Sequence, residues 1–293
     1  NPVKSGGIYT AIENKTLGLV ADNSIPLSKL KSVSVDVSLS PQFFDFVDKD
    51  WSGLTDFLGY RIWTDGTNIY YSDATIQKVL DVATSTWSDK IWSGLIDFSG
   101  INIWTDGNNI YYSYGSTQKV LDVANSTWSD KTWSGLTDFS GINIWTDGNN
   151  IYYSDGTTQK VLDVANSTWS DKIWSGMTNS IGDYIWTDGN NIYYSYGSTQ
   201  KVLNIATSTW SDKIWSGMTS FSGYRIWTDG TNIYYSDGTK QKVLDVATST
   251  WSDKIWSGMT SFSGVHIWTD GNNIYYSDGA TQKVLITNKK IHR

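Results

Sequence analysis

The chain has 293 residues, enough for one large all-β domain, and aromatic residues make up 15 % of it against 17 % charged residues. A formal net charge of −7 disfavours nucleic acid and anionic membrane surfaces as partners, because both favour basic patches. Cysteine is absent, which excludes disulfides and thiolate metal sites. No apolar run approaches the roughly 20 residues of a membrane helix, so membrane insertion is not expected.

The first 42 residues are polar, and we expect a connector that forms a short helix or an extended arm. Two phrases in it are similar to linker sequences of bacteriophage and prophage tail-fibre proteins: Asn-Pro-Val-Lys-Ser-Gly-Gly-Ile-Tyr-Thr-Ala-Ile (1–12) and Asp-Asn-Ser-Ile-Pro-Leu-Ser-Lys-Leu (22–30). The resemblance implies a place in the virion tail, contact with other tail proteins, and an upstream shaft of the kind that is usually a homotrimer. The chain begins without methionine, so we also expect it to be part of a longer protein.

From there on the sequence repeats with a period of 41 residues. Three series of tryptophans mark the repeat and together account for all 17 tryptophans of the chain. The Ile-Trp-Thr-Asp-Gly series is Trp63, Trp104, Trp145, Trp186, Trp227 and Trp268. The Trp-Ser-Gly series is Trp51, Trp92, Trp133, Trp174, Trp215 and Trp256. The Ser-Thr-Trp series is Trp87, Trp128, Trp169, Trp210 and Trp251.

Each unit predicts four antiparallel strands, which we call A to D. In the first unit they are Tyr60–Thr64, Asn68–Ser72, Gln77–Ala83 and Trp87–Leu95, with an Asp-Gly hairpin turn between A and B. Six units of this kind favour a six-bladed β-propeller, in which stacking of blades buries both faces of each sheet. A solenoid is the alternative, but it usually needs atypical capping repeats.

The two ends of the repeat array complement each other. The last unit stops at 286–288, before its strand D, whereas residues 43–54 occupy the register of 84–95, with Phe46 where Trp87 stands. We therefore predict that the N-terminal segment supplies the last blade's outer strand and closes the ring over residues 43–288. Residues 289–293 are then a C-terminal tail.

The order of strand, Asp-Gly, Asn-Ile-Tyr-Tyr and Val-Leu-Asp-Val-Ala-x-Ser-Thr-Trp resembles a kelch-type repeat over residues 43–288. That resemblance implies the propeller fold and leaves the function open, because fold alone does not give function. The unit is shorter than a usual kelch repeat and has Ser-Asp-Gly or Ser-Tyr-Gly where kelch has a Gly-Gly doublet.

The near-identical units differ most in the D-to-A connections and the B-to-C loops, whereas the turn between A and B is almost constant. In an up-and-down blade both connections emerge at the same end, so the variable residues are predicted to share one face of the ring. Tyrosine and arginine are enriched at binding hot spots, and we interpret the face as a ligand-binding site. Neutral drift at exposed loop tips is the alternative. The candidate ligand-binding residues are Tyr60, Arg61, Asn102, Tyr114, Asn143, Asp183, Tyr184, Tyr196, Tyr224, Arg225, Lys240 and His266.

The tryptophans have two interpretations, since exposed rings can stack on sugars and buried rings fill the space between blades. We favour the core for the Ile-Trp-Thr and Ser-Thr-Trp series and leave the Trp-Ser-Gly series open, because strand D is outermost. The recurring Asp-Gly pairs are interpreted as turn formers and not as calcium ligands, because dense alternating carboxylates are missing.

Catalysis is not expected. The chain has two histidines, one glutamate in the connector and no phosphate-binding glycine motif, and Asp183 has no evident partner carboxylate. No cofactor or metal is predicted. The sequence favours non-enzymatic binding of a host-surface glycan or protein by a tail-fibre propeller. A structural spacer is the first alternative, and a polysaccharide depolymerase is the second.

Overall fold

The computed structural model describes residues 45–286 as a β-propeller of six blades, each with four antiparallel strands. The strands follow chain order in five blades, and the sixth combines strands from both ends of the described range. The predicted fold class is confirmed. The predicted connector (1–42), the tail (289–293) and the ends of the predicted propeller (43–44 and 287–288) lie outside the described residues.

Strands are numbered along the chain, and each blade runs from strand A to strand D. The A strands are β2 (Ile62–Thr64), β6 (Ile103–Thr105), β10 (Ile144–Thr146), β15 (Ile185–Thr187), β19 (Ile226–Thr228) and β23 (Ile267–Thr269). The B strands are β3 (Ile69–Asp73), β7 (Ile110–Tyr114), β11 (Ile151–Gly156), β16 (Ile192–Tyr196), β20 (Ile233–Ser236) and β24 (Ile274–Asp278).

The C strands are β4 (Ile76–Asp81), β8 (Thr117–Asp122), β12 (Thr158–Asp163), β17 (Thr199–Asn204), β21 (Gln241–Asp245) and β25 (Thr281–Leu285). The D strands are β5 (Thr86–Asp89), β9 (Thr127–Asp130), β13 (Thr168–Asp171), β18 (Thr209–Asp212) and β22 (Thr250–Asp253), with β1 (Phe46–Asp48) in the sixth blade. A short extra strand, β14 (Ser180–Ile181), pairs with β11. Blades 1 to 5 begin at β2, β6, β10, β15 and β19, and blade 6 combines β23, β24, β25 and β1.

A single 3₁₀ turn precedes every A strand. The turns are Gly59–Arg61, Gly100–Asn102, Gly141–Asn143, Gly182–Tyr184, Gly223–Arg225 and Gly264–His266. Each turn contacts the turns of both neighbouring blades, and the first contacts the last, so the six form a closed ring around the propeller axis. Strand A was predicted to start at Tyr60, but the first two of those residues belong to the turn. Residues 45–286 contain no long apolar helix of the kind that spans a lipid bilayer.

The ring closes as predicted, through the N-terminal strand. β1 pairs with β25 in antiparallel register, with Phe46 opposite Leu285 and Asp48 opposite Lys283. Phe46 is fully buried, and its N–H donates to the carbonyl of Ser257 at 3.1 Å. Blade 6 is therefore assembled from two distant parts of the chain, so both the first and the last blade have an outer strand.

The core consists of aromatic clusters between neighbouring blades. Strand β3 is buried on both sides: Tyr70 contacts Trp92 toward blade 2, while Tyr71 contacts Phe57 toward blade 6. A run of apolar residues without alternation is the pattern expected for a strand covered on both faces. Trp63 stacks on Tyr70 at 4.5 Å between ring centroids, and its indole N–H donates to the buried Ser72 hydroxyl at 2.9 Å.

All 17 tryptophans are buried, with exposures between 2 % and 7 %. The core interpretation of the Ile-Trp-Thr and Ser-Thr-Trp series is confirmed, and the Trp-Ser-Gly series belongs to the core as well. Strand D was predicted to extend from Trp87 to Leu95, and this was wrong beyond Asp89. The chain leaves blade 1 there and crosses to blade 2, where Ser93 forms a parallel bridge with Thr127. Trp92 thereby lies in the aromatic core between blades 1 and 2.

The A-to-B turns are built around an aspartate, as the Asp-Gly pairs predict. One carboxylate oxygen of Asp65 accepts the N–H groups of Thr67 and Asn68 at 2.9 Å and 2.6 Å. The other accepts the Tyr70 hydroxyl at 2.8 Å and the Asn68 side-chain amide at 3.1 Å. Equivalent aspartate–tyrosine bonds occur in the other five blades. Both oxygens therefore have protein donors, which confirms the interpretation as turn formers.

These aspartates predict an acid-sensitive fold. Burial by itself would raise the pKa of Asp65, but the hydrogen bonds from Asn68, Thr67 and Tyr70 outweigh it and lower the pKa below its usual 3.8. A folded-state pKa below the unfolded one stabilises the fold above the unfolded pKa and loses that stabilisation as the pH falls through the folded pKa. We expect the melting temperature to be constant above about pH 5 and to fall below about pH 4.

Thermal melts followed by tryptophan fluorescence between about pH 7 and about pH 2 test this expectation. The control is Asp65→Asn, which keeps one acceptor oxygen but cannot ionise. It should melt lower than the native chain near neutral pH and lose less stability on acidification. A melting temperature that does not change down to about pH 3 would contradict the prediction.

Candidate functional site

The variable positions of the six units lie at one end of the ring. The segment that leads into blade 2 hydrogen-bonds to the B-to-C loop of blade 1, through Phe98 N–H and the Ala74 carbonyl at 3.4 Å. The same contact occurs between blades 2 and 3, through Phe139 N–H and the Gly115 carbonyl at 3.2 Å. The D-to-A connections and B-to-C loops are thus neighbours in space. We call this end the variable face.

At the centre of the variable face the 3₁₀ turns of adjacent blades touch through their variable residues. The first variable residue of one turn lies against the second of the preceding turn. Tyr60 and His266 have ring centroids 5.4 Å apart, and Tyr184 and Tyr224 have centroids 5.7 Å apart. Residues that are 206 positions apart in the chain (266 against 60) therefore share one surface.

Blades 6 and 1 contribute the first group, which we call the 6–1 cluster: Tyr60, Arg61, Asp73, His266 and Asp278. Arg61 forms an ion pair with Asp73 of its own blade's B-to-C loop, and its guanidinium also lies over the Tyr60 ring at 5.4 Å. His266 Nε2 lies 3.8 Å from an Asp278 oxygen. Burial lowers the pKa of His266, and the nearby Asp278 carboxylate only partly opposes this. The positive charge of Arg61 is thus balanced within the cluster by the Asp73 carboxylate.

Blades 4 and 5 contribute the second group, the 4–5 cluster: Tyr184, Tyr196, Tyr224, Arg225 and Lys240. The Tyr196 ring lies 4.5 Å from the Tyr184 ring, which in turn contacts Tyr224. The Arg225 guanidinium lies 5.2 Å from the Tyr224 ring centroid, and its Nε donates to the Tyr224 hydroxyl at 2.9 Å. Lys240 is exposed in the B-to-C loop of blade 5. The three aromatic rings and the Arg225 guanidinium thus form a row of mutual contacts, and Lys240 stands in a loop of the same blade as Arg225.

The remaining candidate residues are placed differently. Asn102 is only 7 % exposed, and its side-chain oxygen accepts the Ser140 hydroxyl at 2.7 Å, so it joins blades 2 and 3 and offers little surface to a ligand. Asn143 interacts with the buried Tyr153 hydroxyl. Tyr114 is 62 % exposed and belongs to neither cluster. Burial raises the pKa of Asp183, which sits at the first variable position of blade 4.

Sequence comparison of the units did not reveal a set of grooves at the rim of the propeller. Four equivalent grooves, with volumes of about 720, 520, 410 and 420 Å³, lie in blades 5, 1, 3 and 6. Each is bordered by the start of strand C and the end of strand D, where a lysine and an aspartate form an ion pair such as Lys242–Asp253 at 2.7 Å. Lys240 lies on the border of the largest one. The lysine and aspartate of this ion pair are the same in every unit, so differences between the units do not point to the grooves.

The titratable groups of the variable face fall into separate groups, with Arg61, Asp73, His266 and Asp278 together in the 6–1 cluster. Within residues 45–286 no three histidine, aspartate or glutamate side chains lie close enough together to hold a metal ion. Within the described part of the chain, Asp183 forms no ion pair or side-chain hydrogen bond. The arrangement offers surfaces for contact: aromatic rings and two arginines, of which Arg61 is paired with Asp73.

Comparison with known proteins gives the fold. No protein-family model and no curated protein matches the sequence. Among solved structures, the chain is similar to an extracellular domain assigned to a hybrid two-component system of B. thetaiotaomicron, at 15 % identity over 82 % of this chain and 35 % of that one, with a TM-score of 0.48. It is also similar to an extracellular domain assigned to a one-component system of the same organism, at 12 % identity over 78 % and 32 %, with a TM-score of 0.52. The chain spans about a third of the length of these structures, and the second likeness shows the propeller fold.

Proposed function

We propose that this chain is a non-enzymatic binding propeller that contacts a glycan or protein on the surface of a bacterial host, as part of a phage tail fibre. One observation carries the proposal: six nearly identical blades differ mainly at one end, and there the differing residues include tyrosines and arginines in mutual contact. Drift alone predicts no preference for residue types that bind. Hot spots are enriched in these types because rigid rings and forked guanidinium groups give much contact for little lost entropy.

The tail-fibre part of the proposal comes from the two connector phrases at 1–12 and 22–30. A trimeric shaft would present three propellers together, and several weak contacts would add through effective concentration. The similar one-component-system structure is an extracellular domain, and an extracellular position is part of the proposal for this chain too.

The test compares a face variant with a matched control on the full chain. The face variant combines Tyr60→Ala, Arg61→Ala, Tyr224→Ala and Arg225→Ala. The control changes four exposed residues of the A-to-B turns at the opposite end: Asn108→Ala, Asn149→Ala, Asn190→Ala and Asn272→Ala. Ligands are first found on an array of bacterial surface glycans and by adsorption to intact cells. We expect the face variant to bind at least about 10-fold more weakly and the control to bind like the native chain.

Other outcomes identify the alternatives. Unchanged binding of the face variant, or no binding by the native chain, would favour a spacer. Release of reducing sugar ends from a bound polysaccharide would establish a depolymerase.

A further inference from the structure

Two units carry the same dipeptide at the variable face, and their arginines are held differently. In blade 1, Arg61 forms an ion pair with Asp73. In blade 5, Asp237 stands in the register of Asp73, yet no carboxylate oxygen of the described residues lies within 4.0 Å of the Arg225 guanidinium nitrogens. Arg225 instead donates to the Asp237 backbone carbonyl at 3.2 Å. Identical residues at equivalent positions therefore give one arginine in an ion pair and one without an ion-pair partner among the described residues. Despite its burial, the pKa of Arg225 is raised by the Tyr224 hydroxyl and by the more distant Asp237 carboxylate.

The difference arises from the B-to-C loop. In blade 5 the Asp237 carboxylate accepts the N–H of Lys240 at 2.7 Å, the N–H of Thr239 at 3.0 Å and the Tyr235 hydroxyl at 3.0 Å. Its strands end at Ser236 and resume at Gln241, whereas those of blade 1 end at Asp73 and resume at Ile76. The wider loop lets the carboxylate bind its own backbone, so it is unavailable to the arginine.

The same loop adds a second cation. Lys240 is exposed and stands where the other units have Ile76, Thr117, Thr158, Thr199 and Thr281. It borders the rim groove of blade 5, which has a volume of about 720 Å³. Blade 5 therefore carries two cations that form no ion pair with the described residues: Arg225, which lies against the Tyr224 ring, and Lys240, which borders the groove.

We propose that the 4–5 cluster binds an anionic group carried by a saccharide, with the tyrosine rings against the sugar and Arg225 and Lys240 against the carboxylate or phosphate. This rests on the proposed function and names its ligand class. A planar guanidinium fork matches the geometry of either anion, and an arginine that is partly buried is screened less than a fully exposed one. Aromatic faces supply the apolar contact that sugar rings need.

The charge of the whole chain shapes this recognition. A formal net charge of −7 does not attract polyanions over long distances. Binding therefore depends on short-range contacts with individual acidic groups. It should weaken mainly at high salt concentration, where the Debye screening length becomes as short as the distances between contacting groups.

The experiment measures binding of the full chain to defined probes: an oligogalacturonide, its carboxyl-reduced neutral counterpart, a phosphorylated mannose oligosaccharide and its dephosphorylated counterpart. The variants are Arg225→Gln, Lys240→Thr and, as the matched control, Lys119→Gln, which removes a blade 2 lysine that is paired with Asp130. We expect binding to at least one acidic probe and a loss of at least about 10-fold on removal of its acidic group. Arg225→Gln should weaken acidic binding about 10-fold or more, Lys240→Thr less, and Lys119→Gln by less than about 2-fold. Equal melting temperatures verify that the variants are folded.

The comparison of the two acidic probes identifies which anion is bound. Equal binding of acidic and neutral probes, equal effects of Arg225→Gln and Lys119→Gln, or no binding to either acidic probe would overturn the inference. Its failure is distinguishable from failure of the proposed function. A neutral ligand that is lost in the Tyr60/Arg61/Tyr224/Arg225 alanine variant would refute the anion site and leave the binding function in place.

Discussion

Replacement of Phe46 by alanine is expected to lower the free energy of unfolding by about 3–5 kcal/mol, the range for truncation of a large aromatic side chain in a core. Phe46 is fully buried, and its ring packs edge-on against Trp256 at 5.3 Å and Phe262 at 5.2 Å. It belongs to the strand that completes blade 6, so its loss weakens the closure of the ring as well as leaving a cavity. Urea denaturation followed by tryptophan fluorescence measures the effect.

The matched control lies two residues further on the same strand. Asp48→Ala removes an exposed ion pair with Lys283, in which the aspartate side chain is 87 % exposed. Exposed ion pairs contribute about 0–1 kcal/mol, so this variant should unfold close to the native midpoint. If Phe46→Ala cost no more than Asp48→Ala, the N-terminal strand would not be part of the ring's core.

Replacement of Gly135 by alanine is the second large effect, at about 2–5 kcal/mol, and Gly148→Ala is its control at about 1–2 kcal/mol. Both glycines have positive φ, +79° and +92°, so alanine strains the backbone at both. They differ in their surroundings. An added Cβ at Gly135 would lie 1.9 Å from the Trp169 carbonyl oxygen, whereas at Gly148 it meets nothing within 4 Å.

The comparison separates backbone strain from close packing of blades. Gly135 belongs to a Trp-Ser-Gly connection and runs beside the outer strand of the following blade, and neither backbone can move without breaking the bridge between Ser134 and Thr168. Gly148 occupies an open A-to-B turn. Denaturation midpoints of the two variants give the difference directly. Equal destabilisation would show that the connection does not hold adjacent blades at a fixed distance.

Much of the fold follows from the sequence because a repeat copies the same local information six times. Asp-Gly turns and apolar strands recur at fixed spacing, so the blades and their order are predicted. The missing last strand and its counterpart around Phe46 predict the closure. The end of strand D was not predictable in the same way, since Trp92 is as suited to a strand as to a connection. Its position depends on the neighbouring blade, with which Ser93 pairs.

The candidate site was predictable in location but not in composition. Antiparallel topology places both variable loops at one end, and contacts such as Phe98 with Ala74 lie there. Differences between the units selected Asn102 along with surface residues. Its side-chain amide is buried and bonds to Ser140, but a comparison of sequences does not distinguish a buried variable position from an exposed one. The rim grooves were not predicted, because the lysine and aspartate that border each of them are the same in every unit.

By itself the sequence determined the propeller, its six blades, its closure and the face at which the blades differ, because turn chemistry and periodicity are local properties that repetition reinforces. Only the tertiary structure decided which charges are paired. Tyr60-Arg61 and Tyr224-Arg225 are the same dipeptide, yet Arg61 forms an ion pair with Asp73. The Asp237 carboxylate instead accepts hydrogen bonds within its own loop, so Arg225 has no carboxylate within ion-pair distance in the described part of the chain. Side-chain pairing depends on loop conformation and on neighbouring strands, and that information exists only once the blades are assembled.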